Sequence, residues 1–297
     1  LRGILRMRRI GHTGTLDPEA TGVLVVCVGN ATKAVSLLTE HDKEYIALCQ
    51  LGVTTDTQDL TGSVLEDRRP VQVTRAQLAE ALQRFTGDYD QLPPMYSAIS
   101  VGGRRLYELA REGKEVERKP RPVHIERITL LDDSLLAEQG LFTMEVRCAK
   151  GTYIRTLCHD IGAYLGCGGA MAQLTRTSVG AFRLEESRTL AEIEAARDAG
   201  TLEQLIVPTQ EIFRDLDILT VREEAVRSLV NGNPFLPIDV VDYTPAAIDG
   251  LSDEEMPEPE EGQRVRVQDE AGRFYGIYAY SARQKQYRVE RFFYQQQ

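Results

Sequence analysis

Gly11-His12-Thr13-Gly14-Thr15-Leu16-Asp17-Pro18-Glu19-Ala20-Thr21-Gly22 runs directly into the apolar stretch Val23–Val28. Three glycines and a proline keep regular structure from passing through the first part, so the pair reads as a loop feeding a buried strand. The loop holds an imidazole, three threonine hydroxyls and an aspartate. Asp17 is the acidic group best placed for chemistry, because a loop braced on a core strand holds a carboxylate at a fixed angle in a cleft. An isolated Asp-Pro more often caps a turn. The rest of the chain decides between these.

The 297 residues are 42% hydrophobic and 27% charged, enough for two domains and a sizeable core. No apolar run approaches the ~20 residues of a membrane span, and the N-terminus shows no signal-peptide core. Five cysteines without a CxxC pair fit a reduced, cytoplasmic setting, with the thiols acting as small hydrophobes. The four histidines are scattered without ligand spacing, so no metal is expected. Net charge is −10, but it is unevenly spread. Residues 244–263 are acidic, whereas Arg104, Arg105, Arg111, Lys114, Arg118, Lys119 and Arg121 crowd into 100–122. Each basic run alone is an ordinary solvated face; together they can contact phosphates on an acidic protein.

Strand signals fall at 23–28, 44–52 and 141–149, where Phe142, Met144, Val146 and Cys148 alternate with more polar neighbours. Thr74 with Gln77, Thr189 with Glu192 and Thr220 with Glu223 form capping-box patterns that start helices. Strands and helices mix without strict alternation. The expected class is α+β, with a mixed, largely antiparallel sheet flanked by helices. After residue 213 the pattern becomes one short helix and strands at 263–269, 273–280 and 286–294, a second small all-β module over 214–297.

Lys150-Gly151-Thr152-Tyr153-Ile154-Arg155-Thr156 ends a strand and opens a helix whose Ile154, Leu157, Ile161 and Leu165 share a face. Arg155 then sits in the first helical turn, where a cation opposes the helix dipole at a cost of a few tenths to ~1 kcal/mol. A plain exposed arginine tolerates that. The sharper reading pairs Arg155 with Asp17, which holds the carboxylate ionised and oriented. Tyr45, after Asp42-Lys43-Glu44, and Tyr153 are aromatics able to stack on a nucleobase, although most of the twelve tyrosines pack the core. Leu174 is by pattern a core leucine that can also line the pocket. No GxxxxGK[ST], GxGxxG or GxSxG is present, so nucleotide hydrolysis, dinucleotide binding and elbow-serine chemistry lack their scaffolds.

GHTGTLDPEATGVLVVCVGNATK (11–33), DKEY (42–45), LGVTTDTQD (51–59), the 93–121 segment and KGTYIRTLCHDIGAYLGCGG (150–169) resemble the TruB family of tRNA pseudouridine synthases. The tail resembles that family's small RNA-binding PUA domain, β-barrel-like in form. The resemblance implies a catalytic domain over 1–213 with the pseudouridine synthase fold. It implies a monomeric isomerase without cofactor that converts uridine 55 of the tRNA T-loop to pseudouridine, and that can also assist tRNA folding. By resemblance Asp17 is the nucleophile, Arg155 its partner, and Tyr45 stacks on the flipped uracil. His12 contacts the extruded nucleotide, while Tyr153 and Leu174 line and wall the site. Residues 93–121 resemble a mobile insertion gripping the T-stem loop through Arg104, Arg105, Arg111, Lys114, Arg118 and Lys119, poorly ordered until RNA binds.

Two departures stand out. The family begins with a strand and a Lys-Pro-x-Gly-x-Thr-Ser segment before a helix ending near Arg9, whereas this chain starts inside that helix. The acidic 244–263 stretch looks like an insertion, expected to loop away from the RNA. Two other readings remain: a non-catalytic RNA-binding or RNA-folding protein on the same scaffold, and the related guide-RNA-dependent synthase. Intact Asp17, Tyr45 and Arg155 oppose the first; the long 93–121 insertion and the lack of basic tails oppose the second.

Overall fold

The computed structural model describes residues 1–246 and 256–295. The core of the acidic stretch, residues 247–255, lies outside the described residues. The chain forms two compact units, His12–Val25 with Ser36–Ser187, and Leu1–Gly11 with Val26–Val35 and Arg188–Gln297.

The first unit is built on a seven-stranded sheet. Its order is Phe182–Arg183, Gly169–Val179, Lys43–Leu51, Leu141–Cys148, Arg121–Asp132 and Gly87–Gln91, with Thr21–Gly22 laid parallel beside Gly169–Val179. All the other pairings are antiparallel. The alternation around Phe142 is realised: Phe142, Met144, Val146 and Cys148 are buried, and their intervening neighbours are more open. Ala47, Cys49 and Leu51 of the central strand join them. Onto this face pack Leu78, Ala81 and Leu82 of the Arg75–Arg84 helix and Ile154, Leu157, Cys158 and Ile161 of the Ile154–Tyr164 helix. Each fully buried aliphatic side chain contributes about 1.5–3 kcal/mol. The Thr74–Gln77 capping box forms in full and starts the first of these helices. Gly162 sets how closely the second approaches the sheet, because a Cβ there would stand 2.2 Å from the backbone of Gly168 and Gly169.

The other unit carries a five-stranded sheet ordered Val240–Thr244, Ile218–Val221, Arg264–Asp269, Phe274–Ser281, Gln286–Phe292. Ile218–Val221 runs parallel to Arg264–Asp269, and the rest pair antiparallel. Tyr275, Tyr278, Tyr287 and Phe235 fill its core with Leu219, Val221, Leu229 and Val267. Asp269 is buried in that unit and accepts from the amides of Ala271 and Arg273, from Arg273 Nε at 2.7 Å and from the Tyr275 hydroxyl at 3.0 Å.

Four expectations are corrected. The apolar run 23–28 is not one strand: only Val26–Val28 is extended, and Leu24 is 41% exposed. Gly22 is already fixed by parallel pairing with Arg176, and the chain turns before resuming. Thr220 does not cap a helix; it lies within the Ile218–Val221 strand, and Arg222 precedes the Glu223–Leu229 helix without a side-chain cap. The N-terminal helix spans only Arg2–Leu5, closed by Arg6 in the left-handed conformation, rather than running to Arg9. The all-β module has five strands rather than three, Ile218–Val221 and Val240–Thr244 being additional.

Candidate active site

The Asp17 loop returns to the sheet at Thr21–Gly22. A local turn, Ala20 N–H to Asp17 O at 3.0 Å, shapes it. The Asp17 side chain is 34% exposed, open enough to meet a substrate. Arg155 reaches it from the first turn of the Ile154–Tyr164 helix, with Nε donating to Oδ2 at 2.6 Å and Nη2 to Oδ1 at 3.0 Å. This fork-to-fork pair fixes the plane of the carboxylate as well as its charge. Far from being an exposed surface cation, Arg155 is 4% exposed.

Its remaining donors go to main-chain carbonyls. Nη1 bonds Thr57 O at 3.1 Å and Nη2 bonds Tyr96 O at 3.1 Å. Asp59 Oδ2 stands 3.7 Å from Nη1, so the guanidinium lies between two carboxylates, close to one only. Asp59 is itself held by the Thr57 hydroxyl, the Thr61 amide and the Thr61 hydroxyl. Thr156 donates to Gln58 Oε1 at 2.7 Å, tying this loop to the helix as well.

Tyr153 occupies the N-cap of the helix. Its amide donates to Gln91 Oε1 at 2.8 Å and its carbonyl accepts from Gln91 Nε2 at 3.0 Å, so a buried side-chain amide imitates a strand partner. Burial pushes the Tyr153 phenol above its ordinary value.

Tyr45 lies on the central strand, opposite Val146 on one side and Arg176 on the other. Burial, first of all, pushes its phenol up to about 12. The Cys148 thiol and Asp17 add to the effect, against the charge and hydrogen bond of Arg176. The hydroxyl therefore stays protonated at neutral pH, able to donate or relay a proton without carrying charge.

Leu174 is 7% exposed and belongs to the core cluster that Ala20 and Tyr45 border. His12 is exposed at the entry to the loop, beside the buried Thr13.

The six proposed RNA-contacting bases lie apart from the ion pair, around a hairpin of Ser100–Val101 with Arg104–Arg105 and the Leu106–Arg111 helix. Arg104 and Lys114 both meet Glu112, and Arg105 binds the Ala98 carbonyl. Arg111 lies over the Tyr107 ring at 5.4 Å, Arg118 donates to Pro93 O at 3.0 Å, and Lys119 is exposed.

Among the described residues no group of three or more His, Cys, Asp or Glu could hold a metal ion, and no helix is long and apolar enough to cross a membrane. A cavity of about 550 Å³ lined by Gln50, Asp67, Arg69, Pro70, Glu138 and Gln139 includes none of the site residues.

Sequence reasoning missed Gln91, Thr57, Tyr96 and Arg176. Thr57 and Tyr96 act through carbonyls, which carry no residue signature. Gln91 could have been noticed as an amide in a short strand otherwise rich in acids and tyrosine, Gly87-Asp88-Tyr89-Asp90-Gln91.

With this geometry in place, the chain was compared with known proteins. A sequence model described as the TruB family pseudouridylate synthase N-terminal domain matches residues 2–154. One described as the tRNA pseudouridylate synthase B C-terminal domain matches residues 155–214. A tRNA pseudouridine synthase B of Lachnoclostridium phytofermentans is 47% identical over 99% of this chain and 93% of its own length. One from Dechloromonas aromatica is 48% identical over 75% of this chain and 73% of its own length. Among solved structures, one described as an H/ACA RNP bound to a substrate RNA containing 2'-deoxyuridine aligns with TM-score 0.67 and 22% identity, over 99% of this chain and 79% of the other. A Cbf5-Nop10-Gar1 complex aligns with TM-score 0.67 and 23% identity, over the same shares. At such identities these two show a common fold.

Proposed function

The chain belongs to the TruB family of pseudouridylate synthases, and from that premise we propose that it isomerises uridine 55 in the T-loop of tRNA to pseudouridine without a cofactor. The observation that carries the reading is the bidentate pairing of Asp17, partly open to solvent, with the buried Arg155. A uridine stacked in a folded loop is out of reach, so the base is extruded at a cost of a few kcal/mol, offset by phosphate and shape contacts elsewhere. Asp17 assists cleavage of the C1′–N1 bond. The freed uracil turns, and C5 bonds to C1′. The C5 proton leaves to solvent and N1 takes one up, so atoms balance and no oxidant or reductant enters. Tyr45 stacks on the turning base and handles protons, and Tyr153 and Leu174 confine it. His12 meets the extruded nucleotide.

The bases of the 93–121 segment grip the T-stem, and the same grip can help a tRNA fold. The chain is proposed to act as a monomer. Position selectivity follows from grip geometry rather than base readout, as is usual for folded RNA.

The test uses a tRNA transcript tritiated at uridine C5. The wild-type chain should release tritium, and Asp17→Asn should release none while its tRNA affinity stays within about threefold, because the carboxamide keeps shape and loses only charge. Turnover by Asp17→Asn would remove Asp17 from the reaction. Tight tRNA binding with no release by the wild-type chain would leave an RNA-binding protein.

A further inference from the structure

A second buried arginine reaches the same loop. Arg176, on the Gly169–Val179 strand, is 2% exposed. Its Nε donates to Val23 O at 2.7 Å and its Nη2 to Gly14 O at 3.1 Å, at the two ends of the loop that carries Asp17. Its own carbonyl accepts from the Val23 amide at 2.9 Å. One residue earlier, the Thr175 and Thr21 hydroxyls lie 3.0 Å apart. On the neighbouring strand Arg176 stands opposite Tyr45.

Gly22 admits this approach. A Cβ there would meet the Arg176 carbonyl oxygen at 2.1 Å, and its φ of +107° disfavours any other residue. Among the described residues no carboxylate lies within ion-pairing distance of Arg176; its side-chain hydrogen bonds go to the carbonyls of Gly14 and Val23. A buried cation held for stability alone is normally answered by an anion, since desolvating it costs several kcal/mol. This one is spent on holding the loop.

We propose that Arg176 is a positioning residue for the isomerisation: its guanidinium clamps both ends of the Gly14–Val23 loop that carries Asp17. The Asp17 carboxylate thereby keeps one position relative to the sheet while the uracil turns. The inference rests on the isomerase reading. A lysine cannot replace the fork, because one nitrogen does not span two carbonyls at opposite ends of the loop in fixed directions.

Arg176→Lys tests it with two readouts. Hydrogen exchange of the amides between residues 14 and 25 in the free protein reads the clamp without any need for activity, and should quicken at least tenfold. Single-turnover tritium release at saturating tRNA should fall by about a hundredfold, the scale of an ångström's misplacement, while tRNA Kd stays within about threefold. A single-turnover rate within threefold of wild type, or a loss confined to Kd, overturns the proposal.

Should Arg176→Lys fail to fold, Gly22→Ala asks the same question, pushing the loop end off the strand while leaving the guanidinium in place. It should give the same split, and unchanged exchange and rate would overturn the clamp. No release by the wild-type chain would sink the isomerase reading, and with it the place of Arg176 in that reaction. The exchange data separate that failure from a wrong clamp geometry.

Discussion

Replacing Arg155 by lysine keeps the charge and removes the fork. The guanidinium makes four contacts within hydrogen-bond distance: two to Asp17 at 2.6 and 3.0 Å, one to Thr57 O at 3.1 Å and one to Tyr96 O at 3.1 Å. An ammonium on a shorter stem satisfies the carboxylate at best, leaving two carbonyls bare. Hydrogen bonds involving a charged group contribute about 1.5–3 kcal/mol each. Because Asp17 is partly open to water, the lower end applies, and the expected loss is about 2–4 kcal/mol. For a domain of this size each kcal/mol moves Tm by about 2–4 °C, so Arg155→Lys should melt roughly 5–15 °C lower yet stay folded at 25 °C. Activity should suffer separately. A carboxylate held at one point instead of two can swing, and a displacement near 1 Å costs about a hundredfold. Thermal melts followed by single-turnover tritium release at 25 °C and saturating tRNA give the two numbers independently. A melting point lowered as expected, with a rate within twofold of wild type, would refute the claim that the fork orients the nucleophile.

Gln91→Leu should lower stability by about 2–4 kcal/mol in urea unfolding, since it strands both the amide and the carbonyl of Tyr153 at the start of the Arg155 helix. Burial pushes Asp160, on that helix, up to about 6. Its native carboxyl binds a proton more tightly than the unfolded one, so its contribution is full below about pH 4 and is lost as pH rises through 6. Asp160→Asn should therefore be more stable than wild type at pH 8, by on the order of 1–2 kcal/mol allowing for its partial exposure, and equal to it at pH 4. Asp269 carries the opposite sign. Burial alone would raise its pKa, but the hydrogen bonds from Arg273 and Tyr275 outweigh burial and lower it. Its contribution is present above about pH 4 and lost as pH falls through its lowered value; Asp269→Asn should cost about 2–4 kcal/mol near pH 7 and progressively less in acid, read by melts across pH.

What the sequence disclosed, and what it hid, follows from the range of the forces involved. The alternation from Phe142 to Cys148 and the Thr74–Gln77 box are local patterns, and both appear as read. Periodicity placed Arg155 in the first helical turn. It said nothing of burial, which depends on carbonyls of Thr57 and Tyr96 brought from elsewhere in the chain. Arg176 was hidden for the same reason: its partners are main-chain atoms of Gly14 and Val23, more than 150 residues away in sequence. Thr220 misled because Thr-x-x-Glu also arises where a β-branched residue lies within a strand. The apolar run after Gly22 misled because hydrophobicity reports burial, and residues beside a bend can be buried without being extended. Ile218–Val221 went unseen because four residues give little periodicity and it pairs in parallel with a strand far downstream.

The 138-residue separation between Asp17 and Arg155 also has a consequence in time. Closing so long a loop costs entropy that only tertiary contacts recover, so the pair forms late in folding. On a ribosome adding ~5–20 residues per second, the loop bearing Asp17 and the strand bearing Tyr45 are made roughly 5–30 seconds before Arg155 exists. Throughout that interval the carboxylate has no arginine to aim it. In the proposed reaction, activity would thus report that the sheet has closed, switched on by the late arrival of a single helix.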